Sequence, residues 1–430
     1  MWYDKIMNLI VILSLIPLII WSFMSPLGDR FADLNSITTS LGQILGLVGM
    51  ALFSINLILA GRFKWLDKYF RGLDKVYANH SRIGAIAFSM LLFHPLMLVV
   101  KYVAISTHEA ALFFVPFTDM PITWGIISLF LMIVLLSFTF YFKFKYHVWK
   151  MSHKFLTLAF IFGVVHTFLI SSDVSRNVLL RYYILGLAAL GIIIITRKAI
   201  LDYLPLNRFK YKVKNLIQLN KDIIEIEMEP VNKKITFNAG QFAFFNFLSM
   251  GVSSESHPFS ISSSSLGETL KITVKNLGDF TSGLINLRIG DSVLVEGPYG
   301  NFSNENVTSK TQIWIAGGIG ITPFYSMAQS LKEGYNIIFY YSVKDKSEAV
   351  YVKELQYIET LNPKFNFNLW SANESGYINA GVVTNLSGGI EGKDIFFCGP
   401  PMLMDSLKNQ FISLGADINN IHYEDFSFNK

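Results

Sequence analysis

Residues 80–94 read HSRIGAIAFSMLLFH. From Ile83 the chain stays apolar to Val100, close to the roughly 18–20 residues that carry a helix across about 30 Å of hydrocarbon. An ionisable side chain in such a run costs free energy and usually serves a function. The spacing narrows that function. His80 and His94 lie 14 positions apart, about 21 Å along a helix that rises 1.5 Å per residue, and 14 steps of about 100° return to nearly the same face. One helix therefore offers two imidazoles at two depths.

Outward from that stretch, five more apolar runs stand out: Ile6–Met24, Ile37–Ala60, Ile122–Phe142, Phe155–Ile170 and Val178–Ile195. With Ile83–Val100 they predict a six-helix transmembrane bundle. The first run follows Lys5 but has no small-residue cleavage site behind it, so it reads as a span rather than a signal peptide. Arg62, Lys64, Lys68, Arg71 and Lys75 follow the second run. Lys143, Lys145 and Lys150 follow the fourth, and Arg197 and Lys198 the sixth. The opposite loops hold Asp29, Asp33, Glu109, Asp119 and Asp173. The positive-inside rule then predicts a multi-pass protein of the cell membrane with both termini in the cytoplasm.

The fifth run supplies His153 and His166. It leaves the cytoplasm in the same direction as the third, so its histidines fall at matching depths. His80 with His153 make an inner pair and His94 with His166 an outer pair, each suited to hold a haem iron by two imidazoles. A lone histidine in a membrane helix is often a packing residue; four at matched depths are poorly explained that way. Thirteen positions separate His153 from His166, which carries the second ring well round an ideal helix. This run is therefore expected to be tilted, bent or locally overwound. His108 has no partner at its depth, and His147, in a basic loop, reads as a surface residue.

A single cysteine, Cys398, excludes a disulfide framework and a cysteine-ligated iron–sulfur cluster. Much of the net charge of +5 lies in the inner loops, where it sets membrane orientation and argues against nucleic acid. Leu201–Arg208, with Pro205, reads as a linker. Beyond it, Tyr211–Leu216, Ile223–Met228, Gln241–Phe247, Leu270–Lys275 and Ser292–Glu296 alternate between turn residues, as in an antiparallel β-barrel. From Gln312 the pattern becomes strand, glycine loop, helix and strand, the order of a parallel α/β sheet. Three domains are expected, at 1–202, 203–308 and 309–430.

The barrel holds His257-Pro258-Phe259-Ser260-Ile261-Ser262-Ser263, preceded by Gly240-Gln241-Phe242. Lys275 with Gly278-Asp279-Phe280-Thr281, and then Gly297-Pro298-Tyr299-Gly300, follow it. The next domain opens with Ile313-Trp314-Ile315-Ala316 and Gly317-Gly318-Ile319-Gly320-Ile321-Thr322-Pro323, and Cys398-Gly399-Pro400 comes about 80 residues later. A strand running into a glycine loop and a helix offers N–H groups to a phosphate. In this order the segments resemble the ferredoxin-reductase-like flavoproteins and, more closely, the ferric reductase and NADPH oxidase superfamily, from about residue 40 to the end.

The resemblance implies FAD held by His257, Pro258, Phe259, Ser260, Ser262, Ser263, Lys275, Gly278 and Thr281. His257 and Thr281 would meet its diphosphate, Phe259 its ring face and Ser260 its ring edge. It implies NAD(P)H held by Gly317, Gly318, Gly320, Thr322, Pro323, Cys398, Gly399 and Pro400, with Cys398 beside the hydride path. Ser342 and Lys344 suit a 2′-phosphate, and no acidic residue stands right at the strand end to prefer a ribose hydroxyl. NADPH is expected, with NADH left open. Phe426, or after it Phe428, is expected to cover the flavin face that nicotinamide must reach.

The implied activity passes electrons from cytoplasmic NAD(P)H through FAD and two b-type haems to an extracytoplasmic acceptor. Dioxygen, giving superoxide, comes first and chelated Fe(III) second. In animal oxidases of the superfamily a second histidine stands one turn beyond the outer ligand; Leu98 occupies that position here, a departure from a dedicated oxygen site. The other alternative is a dedicated electron donor to an extracytoplasmic protein, although no obligate protein partner is evident. A transporter or channel would need neither the flavin nor the nicotinamide segments.

Overall fold

Where no water can reach the backbone, the chain must satisfy its own N–H and C=O groups, and a helix does so within one segment. In the computed structural model, which describes residues 2–70, 72–142, 144, 146–203 and 208–424, the first half is helical. Its principal helices are α1 (Trp2–Ser22), α2 (Leu34–Leu59), α3 (Leu73–Val103), α4 (Met120–Phe140), α5 (Tyr146–Lys154), α6 (Leu156–Leu169) and α7 (Val178–Tyr203). Among the described residues, five segments are long and apolar enough to cross a membrane: Leu34–Leu59, Leu73–Val103, Met120–Phe140, Val148–Leu169 and Val178–Ile200. The apolar part of α1, Met7–Ser22, is shorter.

Helix α2 is the bundle's centre, with 67% of its most apolar stretch buried against 11% to 28% for the other four. Asp33 starts it with a capping box shared with Ser36, and Asp119 caps α4 through the Ile122 N–H. Phe93, Phe130, Phe168 and Ile193 stay exposed, as lipid-facing side chains do. Helix α3 begins ten residues before the apolar run that announced it. Helix α7 continues to Tyr203, so the linker expected from Leu201 is shorter; residues 204–207 lie outside the described residues, as do Arg71, Lys143 and Lys145.

The chain divides into two compact units, 1–70 with 75–204 and 71–74 with 205–430. The second unit contains two sheets. Strands β1 (Phe209–Asn220), β2 (Ile223–Pro230), β3 (Phe242–Leu248), β4 (Ser256–Ser260), β5 (Leu270–Lys275) and β6 (Ser292–Tyr299) pair antiparallel in the order β4-β3-β6-β1-β2-β5. One bridge, Ile261 to Ile272, links the two ends of that order. Every second residue of β6 is buried, the alternation that marks one face as core. Strand β4 escapes the alternation pattern because of Pro258, which a strand at the end of the order tolerates.

Strands β7 (Thr311–Gly317), β8 (Asn336–Val343), β9 (Phe365–Ser371), β10 (Asp394–Cys398) and β11 (Ile421–Tyr423) are parallel, in the order β11-β10-β7-β8-β9. Helices α8 (Ile321–Gln329), α9 (Val352–Leu361), α10 (Ala380–Leu386) and α11 (Pro401–Ser413) connect them. Trp314, Phe324 and Phe339 pack in one core and Ile313, Ile315 and Phe397 in another, so β7 is apolar on both faces as a central parallel strand is. The chain moves from β7 to β8 and β9, then returns to the other side of β7. That reversal opens a crevice at the carboxyl ends of β7 and β10.

Candidate functional site

The first unit brings the four membrane histidines into two pairs. His80 and His94 ride on α3, His153 on α5 and His166 on α6. The ring centres of His80 and His153 are 6.1 Å apart and those of His94 and His166 6.4 Å. An imidazole nitrogen bonds a metal at about 2.0 Å and the ring centre lies about 1.1 Å behind it, so two rings sharing one iron stand roughly 6 Å apart. Both pairs fit. Among the described residues no group of three or more His, Cys, Asp and Glu side chains gathers to hold a metal; the paired rings are what this bundle offers.

Each ring is aimed by its other nitrogen. His80 Nδ1 bonds the Asn56 carbonyl at 3.0 Å, His94 Nδ1 the Gly42 carbonyl at 2.7 Å and His166 Nδ1 the Pro121 carbonyl at 2.8 Å. His153 Nδ1 lies 3.5 Å from the Thr139 hydroxyl. A carbonyl can only accept, so Nδ1 carries the proton in those three rings and Nε2 is left with its lone pair for a metal. Two glycines make room for the outer pair. A Cβ at Gly46 would lie 2.7 Å from His94 Nδ1, and one at Gly125 3.0 Å from His166 Nδ1. Nothing in the sequence singled these glycines out.

The thirteen-residue spacing is accommodated by a break. Helix α5 ends at Lys154 and α6 begins at Leu156, and around Phe155 the bonds tighten to Phe155 N–H to the Ser152 carbonyl at 3.1 Å and Leu158 N–H to the Phe155 carbonyl at 2.9 Å. Such three-residue turns overwind the helix and bring His166 back towards the face of His153.

In the antiparallel sheet, the pleat of β4 puts His257 and Phe259 on one face. Phe280 stacks on His257 at 3.7 Å and lies 6.3 Å from Phe259, so the loop from Gly278 is brought to the β4 segment. His257 Nε2 is 3.1 Å from Glu255 Oε2. Ser260 and Pro258 alternate to the other face. Thr281 Oγ1 accepts from the N–H groups of Leu277 and Gly278 at 2.9 and 3.0 Å, tying that loop to itself, and Lys275 closes β5. Gln241 Nε2 donates to the Gly300 carbonyl at 2.8 Å, which joins the Gly240 turn to the one at 297–300.

Ser262 and Ser263 face the seam with the parallel sheet. Both are buried. Gln329 Nε2 donates to the Ser262 carbonyl at 2.9 Å and Ser326 Oγ to the Ser263 carbonyl at 2.7 Å. Beside them the Tyr351 hydroxyl donates to Glu225 Oε2 at 2.6 Å and meets Thr273, whose hydroxyl donates to Ser262 Oγ at 3.0 Å. Burial, with the Glu225 carboxylate next to it, holds the Tyr351 phenol well above its ordinary pKa, so it remains a donor. Tyr351→Phe leaves the buried Glu225 Oε2 without this donor and lowers unfolding stability by about 1–3 kcal/mol; an unchanged midpoint in thermal or denaturant unfolding would refute this.

At the crevice the two glycine motifs meet backbone to backbone. A Cβ at Gly399 would stand 3.0 Å from the Gly317 Cα, and one at Gly320 would run into the Cys398 carbonyl. Cys398 is buried and pairs with Ala316 across the strands. The Thr322 hydroxyl donates to the Ile319 carbonyl at 3.1 Å, which fixes the loop ahead of α8, and Pro323 is buried in its first turn. Ser342 is the register partner of Gly317, and Lys344 lies exposed two residues on. The nearest acid, Asp345, is held below the usual carboxylate range by the Ser347 hydroxyl and N–H and is turned into its own loop. Phe426 and Phe428 lie outside the described residues.

Three known families match successive parts of the chain. Residues 45–164 match the ferric reductase like transmembrane component, 208–303 an FAD-binding domain and 314–409 the oxidoreductase NAD-binding domain. One component of the Na(+)-translocating NADH-quinone reductase of Methylococcus capsulatus is 28% identical over 165 residues, 35% of this chain and 40% of that protein. The flavohemoprotein A of Dictyostelium discoideum is 30% identical over 146 residues, 33% of this chain and 36% of that one. The glycine betaine monooxygenase reductase of Pseudomonas aeruginosa is 27% identical over 219 residues, 47% and 53% of the two chains. The chain thus spans about two fifths of the length of the first of these relatives. Among solved structures, the flavohem-like FAD/NAD-binding domain of a Vibrio cholerae nitric oxide dioxygenase superposes with a TM-score of 0.46 at 23% identity, covering 51% of this chain and 99% of that domain.

Proposed function

We infer that this oxidoreductase, whose three matched segments give it the architecture of the ferric reductases and NADPH oxidases, moves electrons from cytoplasmic NAD(P)H across the membrane to an acceptor outside. The observation that carries the reading is the pairing of four histidines at 6.1 and 6.4 Å, with the rings at iron-bridging separation. His80 and His153 would hold an inner haem, His94 and His166 an outer one. We read the antiparallel sheet as the FAD barrel, the first helix as the sixth span, and the three domains as 1–202, 203–308 and 309–430.

When bound, FAD takes two electrons as a hydride and releases them singly, and the haems exchange one electron at a time. The chain's own residues do the positioning. The glycine loop from Gly317 and the start of α8 offer N–H groups to the nucleotide's phosphates, and Gly399 lets the Cys398 strand end approach closely. Ser342 and Lys344 favour NADPH, since Asp345 is committed to its own turn. His257, Phe259, Ser260, Lys275, Gly278 and Thr281 make up the flavin side. Ser262 and Ser263 serve it by holding the β4 segment to α8. Phe426 or Phe428 would cover the flavin.

The positive-inside rule supports an orientation with the basic loops in the cytoplasm and the outer pair outside, in which a negative interior would favour outward movement of an electron by about 2.3 kcal/mol per 100 mV. With both imidazoles of a pair holding a haem iron, no ligand position would remain for an acceptor, which would be reduced beside it. Dioxygen, giving superoxide, needs no ligand site there. Chelated Fe(III) is the second reading, since Leu98 stands where a dedicated oxygen site would carry a second histidine. Purified protein given NADPH without air is expected to develop reduced haem bands; under air, cytochrome c reduction should be sensitive to superoxide dismutase. A protein with no Soret band, or one whose band NADPH leaves oxidised, ends this reading.

A further inference from the structure

Tyr351, the residue ahead of α9, has φ 62° and ψ 16°. A residue with a side chain takes that left-handed conformation at a cost in free energy and keeps it only where its surroundings enforce it. Here they do. Tyr351 is 6% exposed, and its ring lies face to face with that of Tyr325 on α8, with 3.9 Å between centres and 13° between planes. Its hydroxyl donates to Glu225 Oε2 at 2.6 Å. Glu225 sits on β2 of the antiparallel sheet and is 3% exposed, and Lys271 Nζ meets its other oxygen at 2.9 Å. The contact joins the FAD-binding segment to the NAD-binding one.

Stability alone explains the carboxylate poorly. A buried ion pair can often be exchanged for apolar side chains of similar volume with no loss of stability. What a carboxylate adds is direction, and the direction is applied where the nucleotide is handled. Tyr351 ends the loop that starts at Lys344, just past the Ser342 strand end. Asn220 Nδ2, at the end of β1, donates to the Glu348 carbonyl of the same loop at 3.1 Å. Tyr325 lies on the helix that follows the glycine loop, and Ser326 and Gln329 of that helix hold the Ser263 and Ser262 carbonyls. The loop and α8 are thus both tied to the antiparallel sheet, and Tyr351 touches both ties.

We propose that Glu225 and Tyr351 are positioning residues for hydride transfer: the carboxylate, gripping the phenol across the seam, sets how closely the nucleotide half brings nicotinamide to the flavin. The proposal rests on the hydride-transfer step of the reading above and is independent of the haems. In that step a hydride leaves NAD(P)H with both bonding electrons and forms an N–H bond on the flavin, giving NAD(P)⁺ and reduced flavin. Neither residue gains or loses an electron or a proton. They act through the loop and α8. A misplacement of about 1 Å costs on the order of 10²-fold in rate, and losing one of several ties is expected to cost about tenfold.

The test uses the full protein and the double variant E225M/Y351F. Removing both partners leaves neither of them unmet in the seam, so the variant should unfold close to the wild-type midpoint. Stopped-flow reduction of the flavin over a range of NADPH concentrations is expected to show a limiting rate about tenfold lower, with the half-saturating concentration and the FAD content unchanged. Without nucleotide, amides of residues 344–351 should exchange hydrogen faster, and those of β7 and β10 at the wild-type rate. E225Q keeps an acceptor for the phenol and restores both the limiting rate and the slow exchange. A double variant that reduces its flavin at the wild-type limiting rate overturns the positioning role. So does one whose slower rate comes with matching loss of FAD or of stability. A wild-type protein that binds FAD and NADPH yet leaves the flavin oxidised overturns the hydride-transfer reading itself.

Discussion

On the proposed two-haem reading, alanine at both His94 and His166 is expected to remove about half of the haem absorbance of the purified protein and to stop reduction of an external acceptor, while NAD(P)H still reduces the flavin. The two rings stand opposed across the bundle, 6.4 Å apart, and each is aimed by a main-chain carbonyl that stays in place when the ring is removed. Removing both imidazoles would therefore abolish the proposed ligation without unmaking the helices. The inner pair, on the same α3 and on α5, is untouched and should keep its spectrum. Absorption spectra before and after reduction by NADPH decide the matter. A double variant that retained its whole haem spectrum would remove the outer site. The single substitution Gly46→Ala acts the same way but more weakly, since it tips one ring rather than deleting it.

Valine at Gly320 is expected to slow flavin reduction by NAD(P)H a hundredfold or more, with haem reduction by dithionite unaffected. The added side chain meets the Cys398 carbonyl, and that carbonyl cannot retreat because Cys398 is paired to Ala316 in the middle of the sheet. Overpacking of this kind costs about 1–3 kcal/mol, and a loop displaced by about 1 Å loses on the order of 10²-fold in rate. Gly318 is the contrast. Nothing lies within 4 Å of a Cβ there, although its φ of +55° favours glycine, so Gly318→Ala should cost far less. Stopped-flow bleaching of the flavin separates the two, and similar rates for both variants would show that contact with Cys398 does not matter.

What could be read beforehand was whatever repeats along one element. Apolar run length marked the helices, and the depth of four imidazoles followed from counting residues along them. The glycine clusters at 317–320 and 399 marked the ends of β7 and β10, because only a residue without a side chain fits where two backbones touch. What depends on a second element was invisible. Gly46 and Gly125 are conspicuous only once the facing ring is known. Phe280 was quoted as part of a loop, yet its place is against His257. Ser262 and Ser263 belong to a serine-rich turn by sequence, and only the approach of Gln329 and Ser326 shows that they hold two sheets together. Pro258 concealed β4 because the alternation pattern penalises a residue that an end strand can carry.

The interruption at Phe155 makes the two histidine-bearing columns mechanically unequal. Helix α3 runs without a break from His80 to His94 and acts as a gauge rod that sets how far apart the two ring levels stand. Its partner column, jointed between them, follows. A residue inserted into α3 between its histidines would swing one imidazole by about 100° and uncouple a pair. The same insertion at the joint falls where the hydrogen-bond ladder has already changed step, and the slack there can absorb it.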